Sequence, residues 1–270
     1  MKKRTRDITF DLFRVIMYSI YACRAAGSCD KAGMGSFLGI RPVTGQVMSM
    51  SVKEGIKRYF VFFIGLFLNG FGVAFTTKAL LGASPIAAIP YSLSLIIPRF
   101  TLGNYVIMFN ILLVLLQWVI LGKDAKKPEL ALQVVMVFVF GYCTDFSNYL
   151  LRGLVPGSYP VKILLLVIGC IILALAVFFE LIGNVVMLPG NGFPKALAGR
   201  LKKEYGPVRM WSDITMTVIA AVLSLVFLKK LVAVREGTVI AAFLVGNLVT
   251  LWNKVLKKPA DRLKNWIIKA

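Results

Sequence analysis

Three carboxylates stand within or at the margins of long apolar runs: Asp145, Glu180 and Asp213. A carboxylate placed in hydrocarbon costs on the order of several kcal/mol unless it is protonated, paired or hydrated, so its default reading is a relay or a solute pathway. Glu180 is the deepest, with apolar residues on both sides. Asp145 and Asp213 lie nearer the ends of their runs, where a hydrogen bond between packed helices explains them equally well. Asn69, Asn110 and Gln117 are amides in similar surroundings. An amide facing a carboxylate holds one proton or cation between unlike partners, although an interhelical hydrogen bond worth about 1 kcal/mol is the structural alternative.

A second chemistry belongs to two stretches that interrupt the apolar sequence. One, LGASP, brings together Gly82, Ser84 and Pro85; the other, PGNGFP, brings together Gly190, Gly192 and Pro194. Glycine frees the backbone to turn, and a proline starts a helix whose first N–H groups are left without partners and attract anionic groups. Pro85 and Pro194 are taken as those starts. Lys78, Lys195 and Arg200 stand close enough in sequence to add charge, but the basic residues after Gly192 are explained more simply as orientation signals. Arg235, Glu236 and Thr238 open another apolar run as a charged cap, with no counterpart in the first half of the chain.

The elements that must position these groups follow from composition. Of 270 residues, 58% are hydrophobic and 16% charged, and the mean hydropathy is +0.79. A soluble domain cannot hide that much apolar surface, and the apolar residues come in blocks rather than alternating, so the class is an all-α, polytopic membrane bundle. The net charge of +20 sits between the blocks and at the ends of the chain. That pattern suits an anionic membrane leaflet and gives no reason to expect nucleic acid. Histidine is absent. Cys23, Cys29, Cys143 and Cys170 are scattered and read as free thiols without a disulfide. There is no HExxH, GxSxG or phosphate-binding loop, so neither an enzyme nor a cofactor or metal site is expected.

Along the chain, residues 1–52 form a charged extension in which Val15 to Cys23 is too short to span, and Met48 or Met50 is an alternative start. Six spans are expected: Tyr59–Lys78, Asn104–Leu121, Leu130–Leu151, Val161–Leu188, Met210–Leu228 and Gly237–Trp252. Ala83 to Pro98 is apolar, but Pro85, Pro90 and Pro98 make it re-entrant rather than spanning. Residues 255–270 form an amphipathic tail for the membrane surface. Basic clusters at Lys53–Arg58, Lys123–Lys127, Lys195–Arg209 and the tail place both termini in the cytoplasm and predict anionic lipid at that face.

Residues 53–254 read as one membrane domain of two halves, 59–151 and 161–253. Asn69 matches Glu180, Gly72 matches Gly183, Pro85 matches Pro194, Gly103 matches Gly206, Asn110 matches Asp213 and Gly141 matches Gly246. Three spans per half make the halves inverted, an arrangement that places a site near the midplane.

GLFLNGFGVAFTTKALLGASPIAAIPYSLS, TLGNYVIMFNILLVLLQ, FGYCTDF and VREGTVIAAFLVG together resemble the YczE/YitT-type family of bacterial multi-pass membrane proteins over about Lys53 to Lys254. Val232 and Ala233 depart from the glycine expected before the REGT run. The resemblance implies a bacterial cytoplasmic-membrane protein and little about activity. The residues themselves point to a permease for a small solute with Glu180, Asp213, Asn69 and Asn110 on its path. The alternative is a non-transporting component: a substrate-capturing subunit or a regulatory scaffold, working as a homo-oligomer or with a partner subunit.

Overall fold

A computed structural model of the protein describes residues 52–268, so the expectations for residues 1–51 lie outside it. The described residues fold into α1 (Val52–Lys78), α2 (Pro85–Ile96), α3 (Leu102–Leu121), α4 (Lys127–Leu150), α5 (Tyr159–Gly183), α6 (Pro189–Leu201), α7 (Tyr205–Leu228), α8 (Glu236–Val255) and α9 (Lys257–Ile268), with no strand among them. Five helices (α1, α3, α4, α5 and α7) are long and apolar enough to cross a membrane, and α8 adds a sixth when counted with α9, into which it bends by 70°. Their outer faces carry large exposed apolar side chains, such as Met108, Leu112, Leu115, Trp118 and Val119 on α3. A surface of this kind needs a lipid solvent.

Local sequence sets the boundaries. α2, α4, α5 and α6 each have proline in the first two positions, where a missing N–H costs nothing. α5 stops at Gly183 because Asn184 turns left-handed, with φ 47°, so the expected span to Leu188 is shorter. α6 starts at Pro189, and Pro194 lies inside it. This corrects the assignment of Pro194 as the helix start. Pro90 occupies the same place in α2 that Pro194 occupies in α6.

α1 and α5 form the most extensive helix pair. Phe62 lies against Gly183, Gly65 against Ala176 and Glu180, Gly72 against Leu173, and Thr76 against Gly169. Positions rise along α1 as they fall along α5, so the two helices are antiparallel. Glycine is required at this seam: a Cβ on Gly65 would come within 2.9 Å of the Glu180 backbone nitrogen, and one on Gly72 within 3.0 Å of that of Leu173. Small residues let helix backbones approach closely where the hydrophobic effect gives no help.

α4 packs on α1 and α8 packs on α5, forming with that pair one set of four helices. The second set is α2, α3, α6 and α7: α2 lies on α7, α6 on α3, and each short helix also touches the long helix that follows it in sequence. α3 packs firmly along α4, whereas α7 scarcely touches α8. α9 folds back under the bundle, burying Ala260 and Ile267 with Val61, Phe178 and Ile182. There Lys57 Nζ donates to the Trp266 carbonyl at 2.8 Å and sits 4.3 Å from the centre of its ring.

Candidate functional site

The two short helices meet at their tips. α2 has 12 residues and α6 has 13, about 18–20 Å at 1.5 Å per residue, which is too short to cross a core of about 30 Å. The C-terminal end of α2 is tied to the start of α3 by Tyr105 Oη donating to the Ile97 carbonyl at 2.7 Å. Tyr91 Oη reaches back to the Thr77 carbonyl, near the end of α1. α2 therefore leaves and returns to one end of the bundle. α6 begins just beyond the end of α5 and finishes just before α7, at the opposite end. The second residues of the two helices are in contact, since a Cβ on Gly190 would lie 3.0 Å from Ile86.

The segment leading into α2 is held in place by the start of α8. The Ala83 N–H donates to the Ala233 carbonyl at 3.0 Å, and the Gly237 N–H to the Leu81 carbonyl at 2.8 Å. Arg235 Nη1 donates to the Leu80 carbonyl at 3.3 Å while Nη2 pairs with Glu236 at 3.1 Å, and Thr238 Oγ1 accepts from the Arg235 N–H. Gly82 has φ +104°, and a Cβ there would collide with Thr238. The charged cap of α8 thus clamps the approach to α2. Ser84 is the residue preceding α2 and makes no side-chain cap to it. Leu188, which precedes α6, has no side chain able to cap, and its carbonyl accepts from Asn191 and Gly192.

Asp213 stands level with the tip of α2. Ser92 Oγ lies 3.2 Å from both the Ala220 carbonyl and Ser224 Oγ, and α2 runs parallel to α7 because both finish at the end of the bundle where α1 ends and α8 begins. Taking that register back from Ser92 to Pro85 reaches residues 213–217 on α7, and Asp213, Thr217, Ala220 and Ser224 share one face at helical spacing. The carboxylate is held on one side only. Arg209 Nε is 3.7 Å from Asp213 Oδ2, while the buried Oδ1 has no hydrogen-bond partner among the described residues. Arg209 Nη1 also donates to Tyr205 Oη at 2.9 Å and to Asn191 Oδ1 in the first turn of α6. One guanidinium therefore links α7 to the tip of α6.

Asn110 lies on α3. Gln117, two turns further along the same face, lies against Gly192 of α6, and Asn110 is therefore beyond the α6 tip. It is buried and donates to the Val106 carbonyl at 2.8 Å. Gln117 exchanges hydrogen bonds of 3.2 and 3.4 Å with Gln133 of α4.

The remaining carboxylates separate by role. Glu180 meets Asn69 across the α1–α5 seam, with Asn69 Nδ2 donating to Oε1 at 2.8 Å. Asp145 is engaged at the start of α3: Oδ1 accepts from the Gly103 N–H at 2.7 Å and Oδ2 from Thr101 Oγ1 at 2.6 Å. Thr101 in turn caps Asn104. This is an N-terminal cap supplied by a neighbouring helix.

Sequence reasoning missed Arg209, Asn191, Tyr205 and Gln133. Arg209 counted only as a basic loop residue. The available signal was its position one helical turn before Asp213, where an opposite charge compensates a carboxylate in an apolar run.

No curated protein and no solved structure matches the chain. A family model does, over residues 56–254, the portion that carries both short helices and the side chains of the site. The chain belongs to the DUF6198 family, a family of unknown function.

Proposed function

We propose that the protein is a permease for a small solute, built from two inverted halves with a half-helix in each. The observation that carries this reading is the contact of Ile86 with Gly190, where two helices too short to span meet from opposite ends. Such half-helices present uncompensated N–H groups at mid-depth, where transporters commonly place their substrates. The packing order supports the inversion: α4 on α1 matches α8 on α5, and α2 on α7 matches α6 on α3. Asn69 and Glu180, equivalent in the two halves, touch each other, as residues on a pseudo-two-fold axis do.

In this reading Asp213 and Asn110 flank the junction, Glu180 with Asn69 forms a second polar station, and Gln117 with Gln133 lines the α3 side. The proposal includes a cytoplasmic-membrane location with both termini inside, where the basic α9 meets anionic lipid. The test is solute flux into proteoliposomes containing the purified protein, across amino acids, carboxylates, inorganic ions and polyols. Flux of at least one class above protein-free vesicles, reduced by Glu180→Gln or Asp213→Asn, is expected. Flux that is unchanged in both variants, or absent for every class, overturns the reading.

A further inference from the structure

We infer that the junction of the half-helices binds a small zwitterion, a molecule carrying an ammonium group close to a carboxylate, as an α-amino acid does. The inference deepens the permease reading and rests on it for its biological role. The site's unused hydrogen-bonding capacity points to this ligand.

Asp213 Oδ1 is a buried acceptor with no partner among the described residues. Leaving such an oxygen unsatisfied is costly, and an ammonium group is the donor that repays it best. The neighbouring capacity has the opposite sign. Arg209 uses Nη1 for Asn191 and Tyr205 and holds Asp213 only at 3.7 Å through Nε, which leaves Nη2 to donate. The register of α2 on α7 brings the first turn of α2 to the same level, and its Ile86 and Ala87 N–H groups have no hydrogen bond to the preceding segment. Ser84 does not cap them, and Gly190 meets Ile86 at the same point. The site thus offers one free acceptor for a cationic group beside several free donors for an anionic one.

Two simpler ligands fit less well. A bare anion would use the donors but face the Asp213 carboxylate. A bare cation would meet Oδ1 with Arg209 and two helix N-termini pressing the same charge against it. The zwitterion uses both sides, with its ammonium on Asp213 and its carboxylate toward Arg209 and the α2 tip.

The experiment is equilibrium binding to the purified full chain in detergent, by calorimetry, with the twenty common L-amino acids as probes. For any that binds, the N-acetyl derivative removes the ammonium group and the amide removes the carboxylate. At least one amino acid is expected to bind, with each blocked derivative weaker by roughly tenfold or more, the loss of one charge-assisted hydrogen bond. Asp213→Asn should weaken the parent amino acid by about the same factor while changing the N-acetyl derivative little. Asp213→Glu serves as the second variant, keeping the charge and recovering part of the binding if Asp213→Asn does not fold. Absence of binding by all twenty, or an N-acetyl derivative that binds as well as its parent, overturns the inference. Binding without uptake in vesicles would instead sink the permease reading and leave the site standing.

Discussion

Asn69 on α1 donates a 2.8 Å hydrogen bond to Glu180 on α5, in the stretch of the seam where Gly65 lets the backbones close on each other. Only Oε1 is engaged by the amide. The bond crosses between the two longest-packed helices, so it bears on stability as well as on any solute path. A double-mutant cycle of Asn69→Ala and Glu180→Ala, read by thermal unfolding in detergent, should give a coupling of about 1 kcal/mol. Asn69→Asp, which sets two carboxylates face to face, should lower stability more than Asn69→Ala at neutral pH.

The seam itself makes a steeper demand. Gly72→Leu must push into the Leu173 backbone and side chain, and overpacking of a tight contact costs about 1–3 kcal/mol, often with loss of expression. Gly199, on α6, has open space around its Cβ position. Gly199→Ala should therefore stabilise by about 0.5–1 kcal/mol through helix propensity. Melting temperatures of the two variants should move in opposite directions.

Asp145 is expected to act through α3. Asp145→Ala strips two acceptors from the Gly103 N–H and Thr101 Oγ1 and should cost about 1–3 kcal/mol. Solute binding, measured on the folded fraction, should stay within about twofold of the parent protein, because Asp145 lies at the start of α3 rather than at the half-helix tips.

α9 gives a prediction about local order. Ile267 is 2% exposed, and Ile267→Asp places a charge against Val61 and Ile182. Hydrogen exchange in α9 should rise sharply while α1 and α5 keep their protection. Lys57→Ala removes the bond to the Trp266 carbonyl and the contact with its ring, and should loosen α9 by only about 1 kcal/mol.

The elements of this architecture differ in how plainly the sequence announces them. Long apolar runs must be helices in lipid, so α1, α3, α4, α5 and α7 are readable from hydropathy alone. Polar residues in such runs are few, which is why Asn69, Glu180, Asn110 and Asp213 stand out without knowledge of their neighbours. The PGNGFP stretch was harder. Both of its prolines can begin a helix, and only the extended backbone at Leu188 decides for Pro189. Pro194 is tolerated one turn in because it removes a single backbone hydrogen bond, as Pro90 does in α2. Arg209 was obscured for another reason. Basic residues at membrane margins usually set orientation, and nothing local reveals that this one reaches Asn191.

The two four-helix sets meet edge to edge where α3 packs along α4, with little between α7 and α8, and at the centre Ala87 and Tyr91 of α2 share a buried core with Phe62, Leu66 and Val73 of α1 and Leu173 of α5. Mechanically this is a book bound along one edge and held at its centre by that core. Swinging the α2–α3–α6–α7 cover about that spine would strain the α7–α8 edge least, because few apolar contacts have to be broken there. The half-helix tips lie inside the cover that would swing. In the proposed permease, a solute held between Ile86 and Gly190 would therefore travel with it, and the direction in which the pages part would decide which side of the membrane it meets.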